Sequence, residues 1–358
     1  MKMSFRWFGD NDDTIPLQHI RQIPGLGQIV GALFDIPVGE PWPLDAITAL
    51  KDEIEQSGLH LEVIESVNIH DDIKIGLPSR DRYIENYITS IQNLAQAGVK
   101  VICYNFMPVF DWMRTDLHFR LNDGSCALAF DNAMLSDSLE ETVRRVADSS
   151  GGYVLPGWEP ERLADVRRLF EAYGPVDDEK LADNYRYFIQ AIMPTCEQTG
   201  VSMAVHPDDP PWSIFGLPRV VKNADDLRRI ESFHDSPRNG FTICCGSLGE
   251  NPDNDVPAIL REFCGRGKVH FVHARNIKHT GVRQFHEAPH LSSEGSLDMF
   301  AIMKALYDND YTGYIRPDHG RDIWGETGRP GYGLYDRALG ITYLNGLWEA
   351  IDKSAATR

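Results

Sequence analysis

VSMAVH (201–206), GFTICCG (240–246), KVHFVHARN (268–276) and YTGYIRPD (311–318) are four short β-rich runs, each carrying a side chain that can hold a metal at or near its end. Four similar runs precede them: MSFRWFG (3–9), QIVGALFDI (28–36), LHLEVIESV (59–67) and VKVICYNF (99–106). Amphipathic helical stretches such as PLDAITALKDEIEQSG and SLDMFAIMKALYDND lie between them, and several end in a Gly or Asn stop signal. Strands alternating with helices point to parallel βα units. Eight such units match a closed (β/α)8 barrel, an α/β fold of the TIM type, better than a doubly wound sheet of five to seven strands. The exception to the regular alternation is an insertion at 107–178, between the fourth strand and its helix at about 179–199. Its size suggests a lid or a subunit contact on a chain that otherwise reads as one barrel domain over 1–358.

Barrels of this kind carry their chemistry where the strands end. Those ends supply His206, Cys244, His273 and Asp318 on four consecutive strands. Strand alternation places Ala204 with His206 and Thr242 with Cys244 on the inner face, sending Met203, Val205, Phe241, Ile243 and Cys245 toward the helices. Imidazole, thiolate and carboxylate together carry about two negative charges, enough to neutralise a divalent ion. A structural zinc site would more usually show CxxC-type spacing on short loops. Four ligands at a barrel mouth suit an open-coordination ion such as Mn²⁺ or Fe²⁺ better, with zinc as the alternative. Arg275 and Lys278 follow the seventh strand, and Arg316 and Arg321 bracket the eighth, so cations for an acidic substrate lie close by. Arg316 can equally hold Asp318 in place. Tyr332, between two glycines of GETGRPGYGLYDRALG, lies within reach of the mouth.

The 358 residues are 42% apolar and 25% charged, ordinary for a chain with a sizeable core. A formal net charge of −18 argues against nucleic acid or an anionic membrane as partner. No GxGxxG or GxxxxGK[ST] follows any strand, which removes the usual nucleotide signatures. The opening MKMSFRWFGDNDD lacks the apolar run of a signal peptide. Six scattered cysteines fit reduced thiols, so the expected location is the cytoplasm, and the expected assembly a homo-oligomer.

Over nearly its whole length the chain resembles the D-mannonate dehydratase family. The strings that carry the likeness include MSFRWFG, DIPVGEPWPL, VIESVNIHDDIK, CYNFMPVFDWMRTDLH, HPDDPPWSIFGLPR, CCGSLG, HARNIK, RPDHGR and GYGLYDRALGITYLNGLWEA. The resemblance implies a Mn²⁺- or Fe²⁺-dependent barrel that removes water from D-mannonate to give 2-keto-3-deoxy-D-gluconate. It places the metal on His206, Cys244, His273 and Asp318, and the catalytic residues among Arg316, His319, Arg321 and Tyr332. His319 and Tyr332 are the candidates for the acid–base pair. Arg275, with Trp7 and Asn105 in the matching strings, is expected to contact substrate. Two other readings compete: a metal-dependent sugar isomerase of the xylose-isomerase type, which would favour carboxylates and a lysine over a cysteine ligand, and a non-catalytic sugar-acid-binding barrel.

Overall fold

The computed structural model describes residues 1–135, 139–150 and 166–356. Twelve strands are described: β1 (Lys2–Arg6), β2 (Gln28–Gly31), β3 (His60–Glu65), β4 (Val101–Tyr104), β5 (Asp116–Arg120), β6 (Cys126–Asp131), β7 (Ser202–Val205), β8 (Asn239–Cys244), β9 (Val269–His273), β10 (Asn276–Gly281), β11 (Gln284–Ala288) and β12 (Tyr314–Arg316). Eight of them close a barrel in the order β1-β12-β9-β8-β7-β4-β3-β2; six fall inside the runs named above, and β1 and β8 begin one residue before theirs. The neighbouring pairs are parallel, and the helices that join them pack outside.

Side-chain alternation sorts the apolar residues into two layers. Val30, Val63, Val101, Cys103, Ala204, Phe271 and Tyr314 form a small cluster inside the barrel. Met203, Val205, Phe241, Ile243 and Cys245 join the large shell between sheet and helices, as the period of two requires. The helices start where their sequences provide a cap. The Asp177, Asn223, Asp255 and Asp298 side chains accept the backbone N–H of Lys180, Asp226, Ala258 and Ala301.

The remaining strands build a second sheet over the mouth, in the order β10-β11-β6-β5, with antiparallel neighbours. The segment after β9 therefore folds back as a hairpin instead of running as a loop to the next helix. Register pairs Gln284 with Asp131, so the hairpin and the 107–178 insertion share one sheet. The rest of the insertion includes the helices Leu139–Asp148 and Val166–Tyr173, while residues 151–165 lie outside the described residues.

Candidate active site

Register brings the site together. Cys244 is abreast of His273, and His273 abreast of Arg316, across three adjacent strands. His206 follows β7 directly, its backbone N–H donating to Tyr104. Ligand atoms of His206, Cys244 and His273 lie within 4.8 Å of one another. Asp318, one turn of chain beyond β12, puts Oδ2 3.6 Å from Cys244 Sγ and 3.8 Å from His273 Nδ1. It holds that place with φ +64°, a left-handed conformation that a non-glycine residue rarely adopts without an external constraint.

The donor set fits a divalent cation on three further observations. His206 Nδ1 is 2.7 Å from the Pro207 carbonyl; that oxygen can only accept, so Nδ1 carries the proton and Nε2 keeps its lone pair. Cys244 Sγ receives the Ser247 backbone N–H at 3.4 Å and lies 3.0 Å from the Ser247 hydroxyl, which orient the sulfur within the ligand group. His273 is fully buried, yet neither ring nitrogen has a hydrogen-bond partner. A buried polar group without partners is costly, and an ion would relieve it.

Around these groups runs a buried ionic network. Asp318 lies 2.8 Å from Arg316 and 2.9 Å from Arg275. Arg275 also pairs with Asp209 at 2.7 Å and Glu287 at 2.8 Å, and Arg114 bridges Asp209, Glu250 and Glu287. Burial alone would raise the Asp318 carboxyl, but Arg316, His319, His273 and Arg275 outweigh it and hold it well below the usual range. Glu250 goes the other way: burial, then Asp209, pushes it well above the usual range, although Arg114 at 3.2 Å and Arg275 at 3.1 Å pull it back.

His319 and Tyr332 meet at the cavity wall, with Nε2 3.0 Å from the phenol oxygen. On the other side of the ring, Nδ1 is 3.1 Å from Glu287 Oε1. Burial would raise Glu287, but Arg275 and His319 hold it down at about 2, so it is an acceptor at any working pH. His319 therefore donates through Nδ1 and accepts the phenol proton at Nε2. Burial pushes Tyr332 up to about 12, which keeps its proton in place. The loop that carries it is fixed by Arg337, which donates to the carbonyls of Tyr332, Gly333 and Arg6. Gly331 makes the turn at φ +78°, where a Cβ would strike Leu128 at 2.6 Å.

A cavity of about 740 Å³ opens in front of these groups. Among the sequence-predicted residues, His206, Asp318, His319, Arg316, Tyr332 and Asn105 line it. Cys244 and His273 are buried just behind its wall. Three expected residues stand elsewhere. Trp7 follows the parity of β1 outward, packs in the shell and donates its indole N–H to the Ile15 carbonyl. Arg275 is spent on Asp318, Asp209 and Glu287 behind the ligands and does not face the cavity. Arg321 pairs with Asp336 at 2.9 Å and Asp123 at 3.0 Å, clamping the loop after β12 onto the outer sheet. Lys278 sits on β10 of that sheet.

Sequence reading missed Arg6, Glu65 and Arg329, which line the cavity, and Glu287, which orients His319. Parity could have found two of them. Arg6 ends β1 and Glu65 ends β3, each charged where the strand meets the mouth. Arg6 and Arg329 both lie over the Phe8 ring, at 4.6 and 4.0 Å.

Fold and cavity together define a (β/α)8-barrel enzyme with its site at the C-terminal ends of the strands. The family model for D-mannonate dehydratase (UxuA) matches residues 1–358. A mannonate dehydratase of Thermotoga petrophila is 59% identical over 354 residues, covering 99% of this chain and 98% of that protein. The crystal structure of mannonate dehydratase from Streptococcus suis superposes with a TM-score of 0.90 at 47% identity, covering 99% and 96% of the two chains. A xylose isomerase domain protein from Planctomyces limnophilus, at 12% identity and a TM-score of 0.55 over 98% of each chain, shares the barrel fold alone. The chain belongs to the D-mannonate dehydratase family.

Proposed function

We propose that the chain is a metal-dependent hydro-lyase converting D-mannonate to 2-keto-3-deoxy-D-gluconate and water, with Mn²⁺ or Fe²⁺ held by His206, Cys244, His273 and Asp318. The observation that carries this reading is the hydrogen-bonded file Glu287–His319–Tyr332 beside the four-ligand group, on one cavity wall. A divalent ion bound there supplies Lewis acidity toward the charge that builds at the carboxylate end as the C2 proton leaves. Arg6 and Arg316 face the same cavity and offer positive charge to the substrate carboxylate.

The proton inventory follows from the two hydrogen bonds. His319, with Nδ1–H held by Glu287, takes the C2 proton at Nε2 once the Tyr332 phenol has turned from it to the substrate 3-hydroxyl. Tyr332, still protonated, gives its proton to the departing 3-hydroxyl, which leaves as water. The imidazolium then returns a proton to the phenolate along the 3.0 Å contact, restoring both groups. Ketonisation of the enol product places a solvent proton on C3. The 107–178 insertion is our candidate for the cover that excludes bulk water, because Arg168, Leu169 and Ala172 of its last helix line the cavity. Free thiols at all six cysteines fit the cytoplasmic location expected from the sequence.

Turnover in D₂O tests the reading: NMR should find one deuterium at C3 of the 2-keto-3-deoxy product. Tyr332→Phe and His319→Asn should each lower turnover by roughly 10²–10⁴-fold with metal content near normal. Near-native turnover in both variants would remove the acid–base assignment, and no 2-keto acid from metal-loaded protein would remove the activity.

A further inference from the structure

Glu65 ends β3, which stands diametrically across the barrel from β9 in the strand order. Its two carboxylate oxygens reach two ligand-bearing groups at once. Oε1 is 3.0 Å from Arg316 Nη2, and the same nitrogen is 2.8 Å from Asp318 Oδ1. Oε2 is 3.5 Å from His273 Nε2 and has no hydrogen-bond partner of its own. The other nitrogen of that ring, Nδ1, faces Asp318 Oδ2, which is also the oxygen nearest Cys244 Sγ. His273 thus turns one nitrogen to the ligand group and the other to Glu65.

Resting on the metal reading above, we infer that Glu65 is the positioning residue of the metal centre, holding His273 through Nε2–H and Asp318 through Arg316. A carboxylate on the far nitrogen fixes the tautomer that leaves Nδ1 unprotonated and raises its basicity toward a metal. The second contact restrains Asp318, whose left-handed backbone needs an external hold.

Ligand atoms of Glu65, Cys103 and His273 also lie within 4.8 Å of one another, which raises a rival role for Glu65 as a direct ligand. The surroundings disfavour it. Glu65 already faces the Arg316 guanidinium at 3.0 Å and lines the same cavity as Arg6. Cys103 is a buried thiol pushed well up by desolvation and hydrogen-bonded by Thr242. A second cation would enter a pocket whose positive charge is already in place.

The test is titration of chelator-stripped protein with Mn²⁺ and with Co²⁺, whose thiolate charge-transfer absorption reports Cys244. Wild type should bind one equivalent. Glu65→Gln should also bind one equivalent with the cobalt–thiolate band retained, but roughly 10–100-fold more weakly, as for other outer-sphere partners. Glu65→Asp, with its carboxylate retracted by one methylene, should weaken binding in the same direction. Near-ultraviolet circular dichroism of each stripped variant separates weakened binding from misfolding. Cys103→Ala should bind like wild type. Unchanged affinity in both Glu65 variants, or two equivalents in wild type falling to one in Glu65→Gln or Cys103→Ala, would overturn the inference. Wild-type affinity with an intact band in Cys244→Ser would instead show that the ligand set beneath it is wrong.

Discussion

Cys244 and Cys245 are neighbours in sequence and opposites in environment. Cys244 turns inward to the ligand group, whereas Cys245 belongs to the shell between sheet and helices, where burial pushes its thiol well up. Cys244→Ser should therefore lose bound metal and activity, and Cys245→Ser should keep most of both; elemental analysis of the two proteins decides it, and equal loss would reverse the assigned parity. His270, three residues before His273, shows the other fate of a strand histidine. Burial first, then Arg238 and Lys268, lowers its pKa to about 4, so the fold keeps it neutral. The unfolded chain binds that proton more readily, with an ordinary pKa of about 6.5. Its contribution is thus fully present above that value and lost as pH falls toward the folded one. The melting temperature should drop between about pH 7 and pH 4.5 less steeply in His270→Asn than in wild type. Parallel curves would mean that His270 carries none of the acid sensitivity.

The short helix Cys245–Gly249 shows how an element serves the site. Cys244 caps it, accepting the Ser247 N–H, and Gly246 lets the Arg275 guanidinium lie against its backbone. A Cβ on Gly246 would fall 2.4 Å from Arg275 Cζ, so Gly246→Ala must displace a fully buried arginine that contacts Asp318, Asp209 and Glu287. Overpacking of this kind costs about 1–3 kcal/mol. Denaturant unfolding should show that loss together with weaker metal retention; wild-type values for both would mean that Arg275 can move freely. The eight barrel strands were legible because each is a β-rich run bounded by stop signals, and the four residues proposed as ligands drew notice because they crowd the strand ends. The outer sheet was not. NIKHTGVRQFHEA is too polar to read as strand; it pairs with itself as β10–β11 and with β6 of the insertion, partners that no local pattern announces. The Asn122-Asp123-Gly124 turn, with Gly124 at φ +88°, is the signal that could have found the β5–β6 hairpin inside the insertion, and sequence reading missed it. Glu287 was illegible for the same reason as its strand. Trp7 was misplaced because a matching string does not say which way a residue faces, and Arg275 because nearness to the strand end does not show that buried carboxylates already hold it.

At the scale of the whole molecule, a net charge of −18 surrounds a cavity that must admit an anion. Arg6, Arg316 and Arg329 act at short range, but beyond about 10 Å the approaching sugar acid meets a repulsive field. Raising ionic strength from about 10 to about 150 mM should therefore increase kcat/KM for D-mannonate while leaving kcat nearly constant. A fall in kcat/KM would mean that the local arginines dominate the field felt during approach. The order of the ligands along the chain has a consequence for how the molecule is made. All four lie between residues 206 and 318, and the sheet that covers them joins β6 to β11 across some 150 residues of sequence. During synthesis, the first half of the chain emerges without any ligand of the metal group. Glu287 emerges only after three of the four, and Tyr332 only after all of them. On the assignment proposed above, a growing chain cannot hold the complete ion site until residue 318 has emerged, nor the acid–base pair until residue 332 has.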